Sequence, residues 1–94
     1  MSIKYQNAPD LKKKMVEIVE HLDFLHVDVS RVECLRSFGS SSKMTIARCH
    51  ALGKVMQLGM KTQAFYTIEF LSESFDKLSE GERDKVIIHE LMHI

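Results

Sequence analysis

His89-Glu90-Leu91-Met92-His93 forms an HExxH motif, one residue before Ile94 closes the 94-residue sequence. Histidines four positions apart share one face of a helix, so both imidazoles can reach a single metal ion. Two imidazoles favour zinc among the common divalent metals. Neutral His89 and His93 would each offer one ring nitrogen to it. Glu90, beside the first ligand but not itself a ligand, would take the proton of a water on the metal and pass it to a leaving amine. The chemistry expected is zinc-dependent hydrolysis of a peptide or another acyl compound. A catalytic zinc usually has three protein ligands and an open position, and the motif supplies two. Candidates for a third within the chain are His50, Glu69, Cys49, His26 and His21, none at a diagnostic spacing. A partner molecule could donate it instead, closing the site as a homodimer.

The element that must carry these residues opens on Ser79-Glu80-Gly81-Glu82, which fits a capping box with Ser79 as the cap and Glu82 reaching back. Glu80, Glu82 and Asp84 place negative charge near the positive end of the helix dipole. The spacing predicts a helix from here to the end of the chain. At roughly 100° per residue, Ile87, Ile88, Leu91 and Ile94 share one arc, with Met92 at its margin. His89 and His93 fall on the other side, flanked by Val86 and Glu90. One face would anchor the helix while the other presents ligands to a cleft.

Upstream, Asn7 is placed to cap a first helix, with Pro9 in its first turn. Leu11, Met15, Ile18, Val19, Leu22 and Leu25 recur at helical spacing, and Lys12, Lys13 and Lys14 lie on its solvated side. Val27 to Phe38 and Met44 to Ala51 read as strands joined through the turn Gly39–Lys43, and the expected pairing is an antiparallel hairpin. On the second strand Met44, Ile46, Arg48 and His50 share one face, and Thr45, Ala47, Cys49 and Ala51 the other. Residues 51–58 favour a short helix ending near Gly59. Phe65 to Leu71, rich in aromatic and β-branched residues, is the clearest strand. Met44, Met56 and Met60 are expected to fill gaps in the core. Arg31, Arg36 and Arg48 are expected to pair with acids such as Glu33 and Glu69.

The composition bounds the rest. The chain has the length of one small domain and is 45% hydrophobic and 28% charged. Thirteen basic residues balance thirteen acidic ones, so charge makes no case for nucleic acid or an anionic membrane. Residues 1–7 lack the apolar stretch of a signal peptide. No apolar run approaches the ~20 residues of a membrane helix. Cys34 and Cys49 read as reduced thiols, and the expected location is cytoplasmic.

With these residues in view, the chain resembles a zincin metallopeptidase. Tyr66 to Glu73, Phe75 to Glu80 and Val86 to Ile94 resemble the small archaeal metallopeptidases, with a layout similar to the SprT-like minimal zincins. Arg36 to Ser40 and Ala47-Arg48 look like an arginine-bearing hairpin of the same family. The resemblance implies an α+β domain over 1–94: an N-terminal helix, a small, mainly antiparallel three-stranded sheet, and the HExxH helix packed on it. It implies Zn2+ on His89 and His93, a catalytic Glu90, and a peptide or protein substrate. It implies Phe65 to Leu71 as the edge strand that pairs with extended substrate. It also implies a further metal ligand beyond the motif helix, so the domain is expected to be incomplete at its C-terminus. The alternative expectation is an inactive zincin-like module that folds, binds metal weakly and self-associates.

Overall fold

A computed structural model describes residues 2–40, 42 and 44–94. Its elements run β1 (Lys4–Asn7), α1 (Pro9–His21), β2 (Val32–Phe38), β3 (Ala47–Ala51), α2 (Lys54–Met60), β4 (Tyr66–Leu71), α3 (Ser72–Phe75) and α4 (Glu80–Leu91). The fold is α+β, with α1, α3 and α4 packed on one face of a four-stranded sheet.

The first helix buries Leu11, Met15, Ile18 and Val19, the apolar stripe its sequence prescribes. Its cap differs from expectation. Asn7 is the last residue of β1, the cap position is Ala8, and no side chain closes it, so Pro9 and the acidic Asp10 of the first turn supply the start signal. The helix stops at His21, and Asp23 takes a left-handed φ of 52°. Leu22 and Leu25 therefore leave the stripe, 43% and 93% exposed. Residues 27–31 are not strand either. Asp28 accepts from Ser30 N–H and starts a single 3-10 turn, Val29–Arg31, before β2 begins.

The sheet order is β1-β2-β4-β3. β2 does not pair with β3. It runs parallel to β4, while β1 and β3 flank the pair antiparallel. The expected hairpin, three-stranded sheet and edge-strand role of Phe65–Leu71 are thus corrected together. The reason is burial. Ile68, Glu69, Phe70 and Leu71 are all buried, and so apolar a strand takes the centre of a sheet. β3, with Arg48, His50 and Ala51 exposed, takes the edge. β1 adds a strand of four exposed residues that offers no alternating pattern to read. In the connection expected at Gly39–Lys43, Ser41 and Lys43 lie outside the described residues.

Side chains of Val32, Cys34, Ile68 and Phe70 point to the helical layer and join Met15, Phe75, Ile87 and Leu91 in the core. Phe70 and Phe75 set their rings 4.7 Å apart at 52°, a favourable tilted contact. Arg36 ties three elements together. Its guanidinium donates twice to the Asp10 carboxylate at 2.8 Å and lies 3.7 Å from Asp76. That hydrogen-bonded pair holds the Asp10 carboxyl below its ordinary pKa. Arg48 lies 3.5 Å from Glu69, as expected of this pair. Arg31 instead donates to the carbonyls of Ala64 and Gln63 and to the Thr62 hydroxyl.

Candidate metal centre

The capping box forms as its sequence prescribes. The Ser79 hydroxyl accepts from Glu82 N–H, and the Glu82 carboxylate accepts from Ser79 N–H. From that cap α4 runs to Leu91 and anchors itself through Ile87 and Leu91, 1% and 0% exposed. Met92, at the margin of the expected core arc, is 69% exposed. The helix ends before the motif does. Met92 and His93 continue its path as a turn, in which His93 N–H donates to Glu90 C=O at 3.1 Å.

That turn keeps the two imidazoles together. His89 and His93 are exposed, with ring centroids 4.9 Å apart and Nε2 atoms 3.3 Å apart. Two nitrogens bound to one zinc at about 2.0–2.1 Å and a tetrahedral angle are separated by roughly 3.3–3.4 Å. The spacing therefore fits a shared ion. One ligand-type atom each from His89, Glu90 and His93 lies within 4.8 Å of the others.

Glu90 differs from its neighbours in being buried, only 8% exposed. It lies at the floor of a groove between α4 and β3 rather than out on the polar flank. Toward His93 the groove is lined by Ala47, Cys49, Ala51, Tyr66 and Glu90. Toward His89 it is lined by Met44, Thr45, Ile46, Ala47, Lys85, Val86 and Glu90. Ala47 and Glu90 border both halves, so the groove is continuous across the glutamate.

The wall opposite the helix follows from strand alternation. Leu71 N–H donates to Ile46 C=O, and Leu52 N–H donates to Phe65 C=O. Even-numbered residues of β3 therefore face β4 with their backbone groups, and those of Ala47, Cys49 and Ala51 point out from the sheet edge. The same residues turn small side chains to the groove. The sequence separates these two faces of β3 correctly but carries no sign of which one meets the helix.

The other candidate ligands scatter. His50 and Glu69 sit on the opposite face of the sheet, with His50 Nε2 2.8 Å from Glu69 Oε1. Neither can join His89 and His93 within one chain. His26 Nε2 lies 3.4 Å from Leu91 C=O. His21 lines a groove between α1 and α4 with Lys14 and Ile88. Cys49 alone of these five lines the groove beside Glu90 and His93. Burial, and then the charge of Glu90, push its thiol pKa up.

Cys34 is buried, and burial pushes its pKa up to about 12. Cys34 and Cys49 both sit opposite Ile68, on β2 and β3. Two strand spacings of roughly 4.8 Å separate their backbones, beyond the reach of a disulfide. Both thiols are free, as expected. Among the described residues no helix is long and apolar enough to cross a membrane.

A family model with the description "Putative phage metallopeptidase" matches residues 3–94. No curated protein and no solved structure matches the chain.

Proposed function

Because the chain belongs to the family described as putative phage metallopeptidases, which implies a metal cofactor and a peptide or protein substrate, we propose that it is a zinc peptidase. Its metal is held by His89 and His93, and its general base is Glu90. The observation that carries this reading is the 3.3 Å separation of the two Nε2 atoms directly over the groove that Glu90 floors.

Zinc bound there would supply a Lewis acid that acidifies water to a pKa of about 7 and polarises a carbonyl. The chain's own groups do the rest. His89 and His93 fix the reacting centre at the mouth of the groove. Glu90, backed by the core, accepts a proton from the attacking water and returns it to the leaving amine. The outward N–H and C=O groups of Ala47, Cys49 and Ala51 can pair with an extended peptide and hold its scissile bond over Glu90. The zincin layout rests on this same combination of motif helix and edge strand, with β3 in the role expected of residues 65–71.

The second reading is an inactive module that binds metal weakly and self-associates. The exposure of Met44, Met56, Leu58 and Met92 favours it. Zinc content and cleavage of an unfolded protein substrate separate the two. The peptidase reading expects zinc retention and loss of cleavage in Glu90→Gln. Cleavage unchanged by that substitution would overturn it.

A further inference from the structure

The helix α2 breaks the rule that a helix turns its apolar residues inward. It buries no side chain at all. Val55, Met56, Leu58 and Met60 are 82%, 55%, 67% and 58% exposed. The expectation that Met44, Met56 and Met60 fill the core is therefore corrected, and a surface of this kind marks an interaction site.

Its position gives the partner. Ala51, the last residue of β3, lines the His93 end of the groove, and α2 begins three residues later at Lys54. The helix is fixed to the strand ends. Leu52 N–H donates to Phe65 C=O at 2.8 Å, the Gln57 side chain donates to Leu52 C=O at 2.7 Å, and Thr62 N–H donates to Gln57 C=O at 2.9 Å. At the groove's other end Met44 is 91% exposed beside Ile46 and Val86. A track thus runs from Met44, past Glu90 and along the free edge of β3 to the start of α2, polar at its middle and apolar at its two ends. Methionine thioethers adapt to side chains of many shapes. Between Ala51 and Ile68 the only charged residues are Lys54 and Lys61, which favours acidic groups on whatever crosses the helix.

We propose that α2 is a docking platform for the flank of the polypeptide substrate, and that it selects extended, apolar segments carrying acidic residues. This rests on the peptidase reading and adds its substrate class. The track from Met44 to Lys54 holds roughly ten residues of extended chain, so short peptides would miss α2.

The test is direct binding to the chelator-treated protein, read by fluorescence anisotropy. The probe is a labelled peptide of about twelve residues, with an apolar centre and Leu/Glu-rich flanks. The control carries the same centre between Ser/Gly flanks. The flanked probe is expected to bind about tenfold tighter, the scale of one buried side chain. In the double variant Met56→Ser, Leu58→Ser that preference should vanish while binding of the control is unchanged. Both substituted residues are exposed, and circular dichroism checks that the fold is kept. Equal affinity for the two peptides, or a preference that survives in the double variant, would overturn the proposal. So would an α2-dependent dimer in sedimentation, or α2-dependent binding to anionic phosphatidylglycerol vesicles, with no peptide preference. Failure of the peptidase reading shows elsewhere, as cleavage insensitive to Glu90→Gln, and leaves the anisotropy result standing.

Discussion

The Nε2 atoms of His89 and His93 lie 3.3 Å apart although the helix ends between them, at Leu91. The turn at Met92 and His93 keeps near-helical geometry, so the i, i+4 relation outlives the helix. In the proposed site, a pair held this way would bind metal with little reordering. The purified chain is expected to carry zinc near one per chain, and His89→Ala or His93→Ala to lose it. Zinc at a hundredfold over its dissociation constant should stabilise the parent by about 2.7 kcal/mol, visible as a higher Tm. Equal zinc stabilisation of His89→Ala would place the metal elsewhere.

Glu90 is buried at the groove floor, whereas both histidines are exposed. In its proposed role of proton shuttle, Glu90 can be changed without disturbing the proposed ligands. Glu90→Gln keeps shape and volume and removes the proposed base. Metal content should be unchanged, and kcat should fall by about 10²–10⁴, the usual contribution of general acid–base catalysis. Atomic absorption and cleavage of an unfolded protein, measured on the same preparation, check both halves. Loss of zinc in Glu90→Gln would instead make Glu90 a ligand.

What the sequence discloses here is local. The HExxH spacing, the Ser79–Glu82 box and the apolar stripe of α1 depend on residues within a few positions of each other. The box is found as read, the stripe holds at Leu11, Met15, Ile18 and Val19 but not at Leu22 and Leu25, and a turn beyond α4 keeps the histidines together. The sheet order is not local. β4 pairs with β2 across some thirty residues, and nothing near Tyr66 or Val32 encodes that choice ahead of a β2–β3 hairpin. The groove depends on it, because placing β4 in the centre sends β3 to the edge beside α4. Glu69 and His50, ligand candidates by residue type, go to the far face because they alternate with Ile68, Phe70 and Cys49 along their strands. α2 lies where the sequence favours a short helix, but its methionines lie outside the core for another cause: a rule that puts apolar residues inside cannot tell that a helix turns them out.

The start of α4 gives a stability prediction that leaves the chemistry intact. Ser79 and Glu82 satisfy each other's backbone N–H groups two turns before His89. Ser79→Ala should cost about 1 kcal/mol, read as a lower urea midpoint with an unchanged slope. Folded protein should keep its zinc affinity, because Ile87 and Leu91 still anchor the motif end. A large loss of zinc affinity at constant fold would show that the cap also positions the ligands.

Glu69 is 3% exposed on the far face of the sheet, with His50 Nε2 2.8 Å and Arg48 Nε 3.5 Å from its Oε1. Burial pushes its carboxyl pKa up, but the Ser37 hydroxyl, the His50 imidazole and the Arg48 charge outweigh it, leaving the pKa below the ordinary 4.5. A carboxylate depressed in the folded state stabilises the fold above its unfolded pKa. That stability is lost as pH falls through the folded value. At neutral pH, Glu69→Gln should therefore be destabilised by about 1.5–3 kcal/mol, the range for charged hydrogen bonds. The gap to the parent should close as pH drops below about 4.5. Urea melts of both proteins between pH 7 and pH 3.5 measure it directly. A gap independent of pH would mean that Glu69 contributes by packing, with its charge counting for little.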